Sequence, residues 1–228
     1  NYDDDGDLLK SCDLIIEVVI EYLPIKKKVF AWVEKNRREG SIVASNTSGI
    51  PLADMAKEMS AEMRQHFMIT HFFNPVRYMR LLELVSGPET KTEITEQVAA
   101  FGEEILGKGI VYAKDTPNFI ANRIGTYGIV SIFKHMVDLD MTITEVDAIF
   151  GKAMGRAKSA VFRTCDVVGL DTLDHVLGNV YDSCPSDEQR DLFVSPSFLK
   201  DMVAEGALGQ KSGKGFYQKT KVKGKTVI

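Results

Sequence analysis

The 228 residues carry 28 Lys and Arg against 32 Asp and Glu, a formal net charge of −4, with 44% hydrophobic residues; this is the balance of a soluble globular protein with a sizeable core, and it argues against a general nucleic-acid surface. No apolar run approaches the length of a membrane span, and the acidic opening Asn1-Tyr-Asp-Asp-Asp-Gly-Asp7 is unlike a targeting peptide, so the expectation is a cytoplasmic protein with no membrane partner. Cys12, Cys165 and Cys184 are odd in number and widely spaced, which indicates neither a disulfide framework nor a zinc site and fits a reducing compartment.

Leu14 to Val19 is a branched apolar run of strand length, interrupted by Glu17 and following almost directly on the acidic opening, as though the chain starts inside a fold. Pro24 suits the first turn of a helix that runs through Ile25, Val29, Trp32 and Val33 and stops at Gly40. Ile42-Val-Ala44 is a second strand, leading into the polar Ser45-Asn-Thr-Ser-Gly49 and a short helix from Pro51 to Met59. Phe67-Met-Ile-Thr-His71 and Leu81-Leu-Glu-Leu-Val85 read as two further buried strands, with Asn74-Pro75 as the turn signal between them. A helix with Ile94, Val98, Phe101 and Ile105 on one face follows, with Thr90 and Glu93 at capping-box spacing, and Gly109 to Ala113 closes the alternation as a strand. Repetition of this kind predicts a mainly parallel sheet covered by helices.

From Asn118 the character changes to helices: Phe119 to about Val137, Thr144 to about Met154 with Asp147 at capping distance, Asp171 to about Tyr181, and Pro196 to Gly206. A boundary is expected near Thr116-Pro117, dividing an α/β part, 1–116, from an all-α part, 117–228. The Lys- and Gly-rich tail from Gly206 reads as an ordered turn followed by a frayed end. Gly102-Glu-Glu-Ile-Leu-Gly-Lys-Gly109 nearly spells a phosphate-binding loop, but it lacks the Ser or Thr and leads from helix to strand, so a helix stop and a turn explain it better. His66 and His71, five apart, fall on opposite faces if the strand is continuous, which argues against a shared metal.

The chemistry concentrates in Thr70 to Val85, where His71 and Glu83 are the candidate acid–base pair. A histidine can take a proton from a hydroxyl, and a carboxylate on its other nitrogen fixes the tautomer and stabilises the imidazolium. The competing reading leaves His71 as a strand cap and Glu83 at a solvated edge.

Thr70-His-Phe-Phe-Asn-Pro-Val76, preceded by Ala44-Ser-Asn-Thr-Ser48 and followed by Lys114-Asp-Thr-Pro-Asn-Phe-Ile-Ala-Asn-Arg123, resembles the L-3-hydroxyacyl-CoA dehydrogenase family. The match continues through Val168-Gly-Leu-Asp-Thr172 to Leu208-Gly-Gln-Lys-Ser-Gly-Lys-Gly-Phe-Tyr217. The resemblance implies a Rossmann-like domain followed by a helical domain that closes over the acyl chain and forms a homodimer. It implies NAD-dependent oxidation of an acyl-CoA 3-hydroxyl in fatty-acid β-oxidation or butanoate metabolism. By the same resemblance His71 is the base, Glu83 orients it, Ser48 hydrogen-bonds the reacting oxygen and Asn122 lies beside the histidine and substrate. Glu21 and Lys26 match positions near the nicotinamide ribose, Asn46 lies close to the nicotinamide, and Asn74 helps to shape the active-site turn.

Two departures qualify this. The family's Gly-x-Gly-x-x-Gly fingerprint does not occur, and there is no room for it before Asp13, so the Rossmann sheet is expected to be truncated, the chain part of an enzyme, and its NAD binding impaired. Met154-Gly-Arg-Ala-Lys-Ser-Ala-Val-Phe-Arg163 replaces a Gly-Pro segment of the short members and is similar to larger members fused to an enoyl-CoA hydratase, so a fused or associated hydratase is an expected partner. The alternative function is a non-catalytic piece supplying dimerisation and acyl-CoA binding to a larger assembly.

Overall fold

The computed structural model describes residues 5–218 and the backbone of 220–222 and 225–227; the first four residues of the acidic opening lie outside it. The chain divides into two compact units, Asn1–Asn122 and Arg123–Ile228, six residues beyond the division expected from composition.

The first unit is built on a five-stranded sheet in sequential order: β1 (Leu14–Glu17), β2 (Ile42–Ser45), β3 (Phe67–Phe72), β4 (Leu81–Ser86) and β5 (Gly109–Ala113). β1, β2 and β3 are parallel, β4 runs antiparallel to β3, and β5 is parallel to β4. Successive side chains alternate between two apolar layers. Val43, Phe67, Ile69 and Val85 pack against α1 (Leu23–Asn36), α2 (Leu52–Ala56) and α3 (Ala61–Gln65), while Ile42, Ala44, Met68, Leu82 and Leu84 meet α4 (Thr92–Ala100). Burial on both faces explains why β2 to β4 read as nearly continuous apolar runs.

Several local expectations are corrected. β1 ends at Glu17 instead of Val19, because the Glu17 carboxylate turns back to accept the Val19 N–H at 2.6 Å. Thr90 forms no capping box: its hydroxyl donates to the Phe67 carbonyl at 2.6 Å and accepts the Gly87 N–H at 2.9 Å, tying β3 to the turn after β4. His66 lies outside β3 as the C-cap of α3, with its ring on the Glu62 carbonyl. Asp115, in the segment after β5, accepts the Leu52 and Ala53 N–H groups at the start of α2.

In the second unit the helices are α5 (Ala121–Asp138, entered from the first unit), α6 (Ile143–Ile149), α7 (Phe162–Val168), α8 (Leu170–Ser183) and α9 (Ser197–Ala204). The capping box of α6 is Thr142/Glu145, not a pairing of Thr144 with Asp147. Asp147 instead accepts the N–H groups of Val161, Phe162 and Arg163 at 3.0, 2.9 and 3.2 Å, capping α7, a helix for which no sequence pattern was assigned. Its carboxylate also accepts the Tyr217 hydroxyl at 2.9 Å. Phe133, Phe162, Phe198 and Phe216 form an aromatic cluster with ring centroids 4.8 to 6.1 Å apart.

The Leu208 to Tyr217 motif is explained here as packing. Asp166 accepts the Phe216 and Tyr217 N–H groups, each at 2.8 Å. A Cβ at Gly209 would collide with the Asp166 backbone and one at Gly215 with its carboxylate, so the chain can lie this close to Asp166 only with glycine at both positions. Beyond it, the backbone of Thr220–Val222 (β6) pairs antiparallel with that of Lys225–Val227 (β7), where a frayed end was expected. No helix among the described residues is long and apolar enough to cross a membrane.

Candidate active site

His71 is the fifth residue of β3 and Glu83 the third of β4, and the antiparallel register sets them directly opposite each other. Alternation puts both on the face that carries Phe67, Ile69 and Val85. The turn between the strands contains a cis Asn74-Pro75 bond. Across the strand pair the His71 Nδ1 stands 2.7 Å from the Glu83 Oε2. Both side chains are buried, Glu83 completely and His71 with 4% of its side chain exposed. The imidazole is flanked by Phe73 and Phe119, with centroids at 4.4 and 5.4 Å.

Glu83 uses its other oxygen on the first turn of α5: Oε1 accepts the Ile120 N–H at 3.1 Å and the Ala121 N–H at 2.8 Å. Asn118 and Phe119 reach this position with φ of 60° and 51°, a conformation asparagine tolerates better than phenylalanine. Burial pushes the Glu83 carboxyl up, but the His71 hydrogen bond, the Ala121 and Ile120 N–H groups and the imidazole charge outweigh it and hold the carboxyl below its ordinary value. A carboxylate so held receives an Nδ1–H and leaves Nε2 as the basic nitrogen of His71.

A second cluster occupies the same end of the sheet, at the carboxyl ends of β1 and β2. Lys26, 1% exposed, has its ammonium 2.9 and 3.0 Å from the two Glu17 oxygens and 3.4 Å from Glu21 Oε2. Glu21 Oε1 accepts from the Thr47 hydroxyl and from the Ser48 and Gly49 N–H groups at 2.9 and 3.1 Å. Burial raises the Glu21 carboxyl, yet Thr47, Lys26 and the loop amides together bring it below its ordinary value. Asn46 Oδ1 accepts the Phe72 N–H at 2.9 Å, linking this loop to the residue after His71. Ser48 lies in the loop held by Glu21, and among the described residues no hydrogen bond engages its hydroxyl. Asn122 is the second residue of α5, next to the Ala121 amide held by Glu83.

Glu17, an interruption of an apolar strand in the sequence, is the hub of this cluster. Its signal was present, a carboxylate inside an apolar strand run four residues before Glu21, and its partners are Lys26 and the Ser45 hydroxyl at 2.6 Å. The Ile120 and Ala121 amides carried no side-chain signal at all.

A site at the carboxyl ends of parallel strands in an open α/β sheet defines a Rossmann-like class. Residues 1–116 match the family description "3-hydroxyacyl-CoA dehydrogenase, NAD binding domain", and residues 119–219 match "3-hydroxyacyl-CoA dehydrogenase, C-terminal domain". The chain belongs to the 3-hydroxyacyl-CoA dehydrogenase family. It is 53% identical over 227 residues to a probable 3-hydroxyacyl-CoA dehydrogenase of Bacillus subtilis (strain 168), which covers 100% of this chain and 28% of that protein. A putative fatty acid oxidation complex trifunctional enzyme of Rickettsia prowazekii (strain Madrid E) is 32% identical over 100% of this chain and 32% of its own. Among solved structures, (S)-3-hydroxybutyryl-CoA dehydrogenase from Ralstonia eutropha is similar with a TM-score of 0.84 and 30% identity, covering 95% of this chain and 74% of that one. The chain thus spans about a third or less of these two curated relatives.

Proposed function

We propose that the protein oxidises the 3-hydroxyl of an L-3-hydroxyacyl-CoA to a ketone, with NAD as cofactor. The observation that carries this reading is the buried contact of His71 Nδ1 with Glu83 Oε2 at 2.7 Å. Bound NAD supplies the acceptor for the hydride that leaves C3. His71 takes the hydroxyl proton on Nε2, and Glu83 orients the ring and stabilises the imidazolium. Ser48 hydrogen-bonds the reacting oxygen, and Asn122 lies beside it. Glu21, Lys26 and Asn46 serve the nicotinamide side, and the fixed carboxylate of Glu21 suits a ribose hydroxyl. Functional division at Thr116-Pro117, dimerisation through 117–228 and association with a hydratase belong to the same reading.

These 228 residues contain no Gly-x-Gly-x-x-Gly loop to cradle a pyrophosphate. The fit to NAD therefore rests on the nicotinamide side, and the 228 residues taken alone bind the dinucleotide weakly. The short spans of the two curated relatives favour a second reading, in which the chain contributes acyl-CoA binding and dimerisation to a larger assembly without catalysing by itself. Absorbance at 340 nm with a 3-ketoacyl-CoA decides between them. Expected is NADH consumption by a form carrying the encoded flanking sequence, with the 228 residues alone slow and saturating only at millimolar NADH. Absence of turnover from the longer form on short and long acyl chains would favour the second reading.

A further inference from the structure

We propose that Glu21 is a positioning residue for Ser48, deepening the dehydrogenase reading on which this inference rests. The segment from Thr47 to Gly49 is gathered on one carboxylate oxygen. Glu21 Oε1 accepts from the Thr47 hydroxyl and from two successive amides, Ser48 at 2.9 Å and Gly49 at 3.1 Å, while the Ile50 amide donates chiefly to the Thr47 hydroxyl oxygen at 3.0 Å and stands 3.4 Å from Glu21. Converging backbone N–H groups form an anion-binding nest, and here the anion is a side chain.

The carboxylate is itself anchored. Its Oε2 faces the Lys26 ammonium at 3.4 Å, and that ammonium is fixed by Glu17 and by the Val19 carbonyl at 3.3 Å. Glu17 in turn holds the Ser45 hydroxyl and the Val19 N–H, both at 2.6 Å. A chain of contacts therefore runs from the ends of β1 and β2 through Glu17, Lys26 and Glu21 to the loop. Because no hydrogen bond among the described residues holds the Ser48 hydroxyl, its place is set by its backbone, and its backbone is set by Glu21. One carboxylate thereby joins the side assigned to the cofactor with the side assigned to the substrate oxygen.

Amide hydrogen exchange and kinetics on the whole protein test this together. In Glu21→Ala, exchange at Ser48 and Gly49 accelerates about tenfold to a hundredfold, while the β2 amides keep their wild-type rates. Glu21→Gln, which retains an acceptor oxygen, falls between the two. Turnover falls in Glu21→Ala, partly through the ribose side, and adding Ser48→Ala to it costs much less than Ser48→Ala costs in the wild type, because the Ser48 hydroxyl is already out of place. Unchanged exchange at the two amides, or losses that multiply independently, would overturn the proposal. If exchange accelerates but no form turns over any 3-ketoacyl-CoA, the dehydrogenase reading falls and the anchoring of the loop stands.

Discussion

Replacing His71 by glutamine lowers kcat by about 10²- to 10⁴-fold, the range a positioned general base contributes, while KM for the acyl-CoA changes little. Glutamine has similar reach and can still hydrogen-bond Glu83 or a hydroxyl, but it has no basic nitrogen to receive a proton at neutral pH. The loss therefore falls on the step in which the 3-hydroxyl gives up its proton and not on binding. Steady-state kinetics separates the two. A variant with wild-type kcat would remove His71 from the chemistry.

Glu83→Gln damages both activity and stability. Oε2 receives His71 and Oε1 receives the Ile120 and Ala121 amides, so a buried side chain with one oxygen and one NH₂ cannot satisfy both sets. If the oxygen stays on the amides, the NH₂ faces Nδ1 and forces the proton to Nε2, blocking the base. If the oxygen stays on His71, two N–H groups face an NH₂. Charged hydrogen bonds of this kind are worth about 1.5–3 kcal/mol each, and the net loss expected at pH 7 is about 2 kcal/mol, or roughly 4–8 °C in Tm for a chain of this size. The acid dependence has a definite sign. Glu83 is held below its ordinary value of 4.5, so its stabilisation is complete above about that pH and disappears as the pH falls through the lowered value. The Tm gap between wild type and variant should narrow below about pH 4.5, and calorimetry across that range measures it. A gap that widened in acid would contradict the assignment of Glu83 as the ionised partner.

What the sequence made legible follows from where each interaction lies along the chain. β2, β3 and β4 were readable because strands buried on both faces leave continuous apolar runs, and Asn74-Pro75 marked the reversal that sets His71 opposite Glu83. β1 was readable too, but its end was not, because Glu17 closes on Val19 and Lys26 where the apolar run alone would continue the strand. Helix α7 was missed because the carboxylate that starts it is Asp147, 14 residues before Val161. The same limit hid half of the environment of Glu83: its amide donors lie 37 and 38 residues away and belong to the backbone. Gly209 and Gly215 could be seen as a motif, but their reason, contact with Asp166, appears only in three dimensions.

In the proposed reaction hydride leaves C3 of a hydroxyacyl thioester while His71 removes the hydroxyl proton. Single turnover of 3-deuterated L-3-hydroxyacyl-CoA with NAD tests it directly, by mass analysis of the nicotinamide product. One deuterium is expected on the reduced nicotinamide ring with wild type and almost none on the same timescale with His71→Gln. Deuterium retained in the acyl-CoA by wild type, or released to water, would contradict it.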